Sequence, residues 1–115
     1  LMLSGEVAKG LDIARACRKR YDGRIRNPFN EYECGHWYAR ALSSYGYIQS
    51  LTGLRYDAVQ KTMFINSKVG DFTSFISTEN GFGTLSLRGK NPSLNVVYGK
   101  IDVDKFNVNG IEVNL

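Results

Sequence analysis

A chain of 115 residues is one domain's worth of polypeptide, long enough to bury a single apolar core. With 43% hydrophobic and 23% charged residues it has the composition of a soluble globular protein, and no run of about 18 apolar residues is present to span a membrane. The net charge of +4 does not by itself imply nucleic acid, because Arg15, Arg18, Lys19 and Arg20 form the only basic cluster, at the expected end of a helix, where the dipole favours cations.

The first residues, LMLSGEVAKG, lack the long apolar region behind a basic start that marks a signal peptide. They run almost directly into a helix, as expected of a segment cut from inside a larger protein. Residues 5–21 place apolar groups either at Val7, Leu11, Ala14 and Cys17 or at Val7, Ala8, Leu11 and Ile13–Ala14, and both spacings predict a helix with one buried face. Asp22-Gly23 supplies its stop. Cys17 and Cys34 form no C-x-x-C pair and no disulfide framework, so both are expected as small buried side chains, with a bond between them as the lesser alternative. A single histidine leaves no ordinary zinc site, and neither a metal nor a cofactor is expected.

Pro28 disfavours helix at Asn27. Asn30 is a good N-cap with Glu33 three positions on, an asparagine version of the capping box, and Phe29 can close on Cys34 as a hydrophobic staple. These signals start a second helix at Glu31, which the pattern carries to about Leu51. At about 100° per residue, Cys34, Tyr38, Ala41, Leu42, Tyr45, Ile48 and Leu51 gather on the side predicted to meet the core. Glu33, His36, Trp37, Arg40, Ser43, Ser44 and Tyr47 gather on the other.

Tryptophan, histidine, arginine and serine on one stripe suit a sugar, whose ring stacks on an aromatic plane while its hydroxyls bond guanidinium and carboxylate. Each residue also has a structural reading. Glu33 can be spent on the capping box, His36 on a neighbouring carbonyl and Trp37 on packing. Glu31 has no capping task and is the acid left available.

After Thr52-Gly53 the hydrophobic period changes. Tyr56–Val59, Thr62–Ile65, Phe72–Ser77, Thr84–Leu87, Leu94–Tyr98 and Lys100–Val103 are predicted strands, and Phe106–Val108 with Ile111–Val113 flank Asn109-Gly110, a strong hairpin signal. Helices followed by strands without βαβ alternation predict an α+β fold: two helices over residues 1–53, then an antiparallel β sheet or small sandwich over residues 54–115. Gly81-x-Gly83 is half of a dinucleotide pattern, but it falls inside a predicted hairpin and is set aside.

The run RNPFNEYECGHWYARALSSYG, residues 26–46, resembles the last helix of the catalytic barrel in bacterial members of glycoside hydrolase family 116 and DUF608-type relatives, a family that includes β-glucosidases and the non-lysosomal glucosylceramidase. Leu54-Arg55-Tyr56-Asp57, Lys61–Ile65 and Asp71–Leu87 look like the β tail that follows that barrel. The resemblance implies a retaining glycosidase on an (α/α)6 barrel, whose two catalytic carboxyl groups stand about 5–5.5 Å apart. Both come from earlier parts of the barrel, so no catalytic residue is expected in this chain, and alone it is expected to be inactive. By the same resemblance Glu31 and Arg40 match ligands of the glycone hydroxyls, with Glu33, His36 and Trp37 in support. The chain departs from some members at Gly46, where they place an arginine, so the sugar preference is not carried over.

The implied partner is a glycoside or oligosaccharide, bound together with the rest of the parent chain. Self-association through exposed helix faces is also expected. An alternative function is a free-standing carbohydrate-binding or structural β module, which calls for Tyr56, Phe72, Phe82 and Tyr98 exposed in a flat row. Nucleic-acid binding through Arg15, Arg18, Lys19, Arg20, Arg24 and Arg26 is disfavoured, since only Tyr21 interleaves those basic residues.

Overall fold

A computed structural model describes residues 1–19 and 45–114. The chain divides into two units, Leu1–Tyr47 and Ile48–Leu115.

In the first unit a turn closed by Gly5 N to Met2 O (3.0 Å) and Glu6 N to Leu1 O (2.9 Å) leads into α1 (Val7–Lys19). Met2 is buried and folds over Gly10, the buried residue of α1. Val7, Leu11 and Ala14 are half-buried, which selects the first of the two spacings read from the sequence, while Ile13 is exposed. Cys17 is exposed rather than buried. The apolar stripe ends at Ala14, and Arg15, Arg18 and Lys19 around the cysteine keep their charges in water. Arg18 and Lys19 occupy the last described turn, where the dipole favours them. The exposed pairs Glu6–Lys9 and Asp12–Arg15 each sit three residues apart and add little to stability.

The helix α2 (Tyr45–Thr52) ends where the sequence predicts. Gly53 takes a φ of 61°, and its N–H bonds Gln49 O at 2.8 Å. The Thr52 hydroxyl donates to Ile48 O (2.7 Å) and accepts from Leu54 N (3.2 Å), so its burial leaves no unpaired polar atom. Lys68 N donates to Leu51 O (2.8 Å), tying the last turn to a connection further along the chain. Tyr45 and Ile48, predicted on the core face of this helix, are exposed.

Seven strands follow: β1 (Arg55–Asp57), β2 (Thr62–Ile65), β3 (Phe72–Ser77), β4 (Gly81–Arg88), β5 (Asn91–Gly99), β6 (Lys105–Val108) and β7 (Ile111–Asn114). They make two sheets, a four-stranded one in the order β1-β2-β6-β7 and a three-stranded one in the order β3-β4-β5. The fold is therefore α+β, as the order of sequence patterns implied.

One pairing departs from the antiparallel expectation: β2 and β6 run parallel, with Met63 opposite Phe106 and Ile65 opposite Val108. Parallel neighbours need a long crossover, and here the β3-β4-β5 meander supplies it. The predicted strand at residues 56–59 stops at Asp57, whose Oδ1 accepts from Val59 N and Gln60 N and so turns the chain. Lys100–Val103 is not a strand; it leads into β6, and Asp102 O accepts the Tyr56 hydroxyl at 2.7 Å. The Asn109-Gly110 turn forms as predicted, with φ of 52° and 86° and the Asn107 Oδ1 accepting from Gly110 N.

Both sheets feed one core. Met63 and Ile65 from β2, Phe106 and Val108 from β6, Ile76 from β3, and Leu85 and Leu87 from β4 are buried together with Ile101. Each fully buried side chain of this kind contributes roughly 1.5–3 kcal/mol. Tyr56, Phe72, Leu94, Val103 and Val113 cover the margins of the cluster.

Candidate functional site

Glu31 and Arg40, matched to glycone ligands, and Glu33, His36 and Trp37, matched to supporting roles, lie outside the described residues. Among the described residues no group of histidine, cysteine, aspartate or glutamate could hold a metal ion, and no helix is long and apolar enough to cross a membrane.

The most distinctive described surface is the outer face of the β3-β4-β5 sheet. Alternation along β4 sends Gly81, Gly83, Leu85 and Leu87 inward and leaves Phe82, Thr84, Ser86 and Arg88 outward. On β3, Phe72 and Ile76 share the inner parity, so Thr73, Phe75 and Ser77 face out. On β5, Ser93 pairs with Ser86 and Asn95 with Thr84 on that same outer face.

Tyr98 would lie on the inner parity if β5 continued regularly. The register instead shifts between Phe82 and Gly83: Gly83 faces Val96, Phe82 faces Tyr98, and Val97 is the extra residue of a bulge. The bulge turns Tyr98 to the outside, beside Phe82. It depends on Gly83, where any Cβ would lie 2.1 Å from the Asn95 carbonyl oxygen.

A row of rings results. Phe82 and Tyr98 stack with centroids 5.6 Å apart and planes 23° from parallel, and Phe75 lies 6.2 Å from Phe82 at 40°. Direct cross-strand aromatic pairs stabilise a sheet, yet this row remains open to solvent, with Tyr98 70%, Phe75 57% and Phe82 39% exposed. Of the residues expected in an exposed row, Phe82 and Tyr98 are in it. Tyr56 and Phe72 instead pack at the core margin. Phe75 was missed, although its parity with Thr73 and Ser77 in FTSFIS marks it as outward.

Among the described residues of β3, β4 and β5, the face carries hydroxyl and amide groups and no carboxylate, histidine or cysteine. Arg88, at one end, is held by its own sheet: Nη1 donates to Phe72 O (2.8 Å) and Leu87 O (2.9 Å), and Nη2 donates to the Thr73 hydroxyl (3.0 Å). The Thr73 and Ser86 hydroxyls bond each other at 2.9 Å. Such a surface can bind a ligand by stacking and hydrogen bonding. Among the described residues, the titrating groups whose ionisation is perturbed lie elsewhere, in the exposed Lys100–Asp102 pair (2.7 Å). The hydrogen bond from Lys100 holds the Asp102 carboxyl below its ordinary range, and the same bond, with the attraction between the charges, raises Lys100.

The sequence matches no family model and no curated protein.

Proposed function

We propose that the chain is the C-terminal part of a retaining glycoside hydrolase of the β-glucosidase type, supplying the last helical hairpin of an (α/α)6 barrel and the β domain behind it. Glu31 and Arg40 grip hydroxyls of the glycone, while the nucleophile and the acid belong to earlier barrel helices. The observation that carries the reading is the run of residues 26–46, which resembles the family's last barrel helix, the Asn-Glu and Tyr-Ala-Arg steps included. The order of elements, helices and then paired strands, agrees with it. So does the exposure of Tyr45 and Ile48, which a complete helical barrel would cover.

The test is kinetic, on the intact protein encoded by the gene. Its upstream sequence should contain the remaining barrel helices with two suitably placed acids, and it should hydrolyse β-glucosides. Each ligand bond involves a charged group, so Arg40→Ala or Glu31→Gln should lower kcat/KM by about ten- to a hundredfold. Unchanged kinetics in both variants would end the proposal, and so would an upstream sequence without a helical barrel.

A further inference from the structure

The outer face of β3-β4-β5 has a chemistry unlike the rest of this basic chain. Towards one end it carries the ring row of Phe75, Phe82 and Tyr98, with Thr84 and Asn95 paired alongside Phe75. Among the described strand residues of this face Arg88 is the one charged side chain, and its guanidinium is tied to Phe72 O, Leu87 O and the Thr73 hydroxyl. An acidic polymer would find little to neutralise there, because affinity for phosphates depends on available cations. Protein interfaces also concentrate aromatic residues, so a protein partner is an outcome the test must separate; here hydroxyl and amide groups stand beside the aromatic row.

A neutral polyol suits both the rings and these polar groups. The C–H faces of its rings cover aromatic surface, and its hydroxyls both donate and accept, as do the Thr84 hydroxyl and the Asn95 amide. We propose that this face is a binding surface for a neutral oligosaccharide, seated along Phe75, Phe82 and Tyr98. The sheet's own geometry carries the proposal, which does not require the barrel reading. Within a glycosidase such a surface would hold a chain-like substrate near the enzyme without taking part in bond cleavage.

The test uses the 115-residue chain labelled with 15N and titrated separately with cellohexaose, laminarihexaose and maltohexaose. At least one hexaose should shift the amides of Phe75, Phe82, Thr84, Asn95 and Tyr98, with an affinity insensitive to sodium chloride. Tyr98 is largely exposed, so Tyr98→Ala should fold and lower that affinity about tenfold, while Tyr98→Phe keeps the ring and most of the binding. Absence of shifts with all three sugars would overturn the proposal, as would binding that survives Tyr98→Ala. A salt-sensitive complex with single-stranded DNA on this face would assign it to a phosphate polymer instead. Concentration-dependent dimerisation abolished by Tyr98→Ala would assign it to a second copy of the chain.

Discussion

Replacing Gly83 by alanine tests how the outer face is built. The added Cβ would lie 2.1 Å from the Asn95 carbonyl oxygen and 3.0 Å from both the Asn95 carbonyl carbon and the Val96 Cα. All three are backbone atoms of the paired strand, so no change of rotamer relieves the overlap. Ordinary contact begins near 3.4 Å, and β4 and β5 must therefore part locally by more than an ångström. Parting them weakens the ladder bonds that flank the bulge, at about 1 kcal/mol each. Overpacking against a fixed wall adds about 1–3 kcal/mol, and the stiffer unfolded chain of the alanine variant returns about 0.4–1 kcal/mol.

The net cost should be about 2–4 kcal/mol, read as a lowered urea midpoint by far-UV circular dichroism with an unchanged slope. Gly89→Ala is the control. Its φ of 62° is left-handed, but nothing lies within 4 Å of the added carbon, so it should cost only the backbone strain of about 1–2 kcal/mol. A second readout is the ring-current shift between Phe82 and Tyr98, which should collapse in Gly83→Ala and persist in Gly89→Ala. If Gly83→Ala unfolds no earlier than the control and keeps that shift, the bulge does not depend on the glycine and the account of the aromatic row fails.

Other expectations concern the core, the charges and the helix surface. Phe106 is 1% exposed at the parallel β2–β6 pairing, so Phe106→Ala should cost about 3–5 kcal/mol; a midpoint equal to wild type in urea unfolding would place the core elsewhere. Asp102 is held below its ordinary range by Lys100, so its contribution is present above the unfolded carboxylate's range and is lost as pH falls through the folded value. Lys100 is raised, so its contribution is present below the ordinary lysine range and is lost as pH rises through the folded value. Urea midpoints of Asp102→Asn should accordingly fall slightly below wild type between those limits at low salt and converge with it in molar salt, because the pair is exposed. Tyr45 and Ile48 are exposed apolar groups on α2, so sedimentation velocity over a concentration series should show self-association; a monomer throughout would remove that expectation.

Much of the strand region was legible because alternation is a local signal. FTSFIS and GFGTLSLR already sort Ile76, Leu85 and Leu87 from Thr73, Thr84 and Ser86 by parity. Asn109-Gly110 announces its turn because left-handed φ at two consecutive positions is cheap for those residues. The parallel β2–β6 pair was not legible, since the orientation of strands distant in sequence depends on which face of a meander meets which sheet. Burial of Cys17, Tyr45 and Ile48 was predicted from helical periodicity. Periodicity identifies a stripe but not whether anything covers it, and all three are exposed.

The bulge at Val97 shows how one local irregularity can decide what a surface is able to do. In a regular antiparallel strand, Leu94, Val96 and Tyr98 share a face, and a parity rule puts the tyrosine against the core with Leu94. One unpaired residue reverses that assignment for everything after it, so that Tyr98 joins Asn95 on the outside and stacks on Phe82. No feature of β5 alone, NPSLNVVYG, announces the insertion. The reason lies in the partner strand, where Gly83 lets the backbone approach more closely than any side chain would permit. Gly81-x-Gly83, set aside as a cofactor motif, therefore bears on function by another route: it removes side chains beneath the bulge and so determines which rings reach solvent.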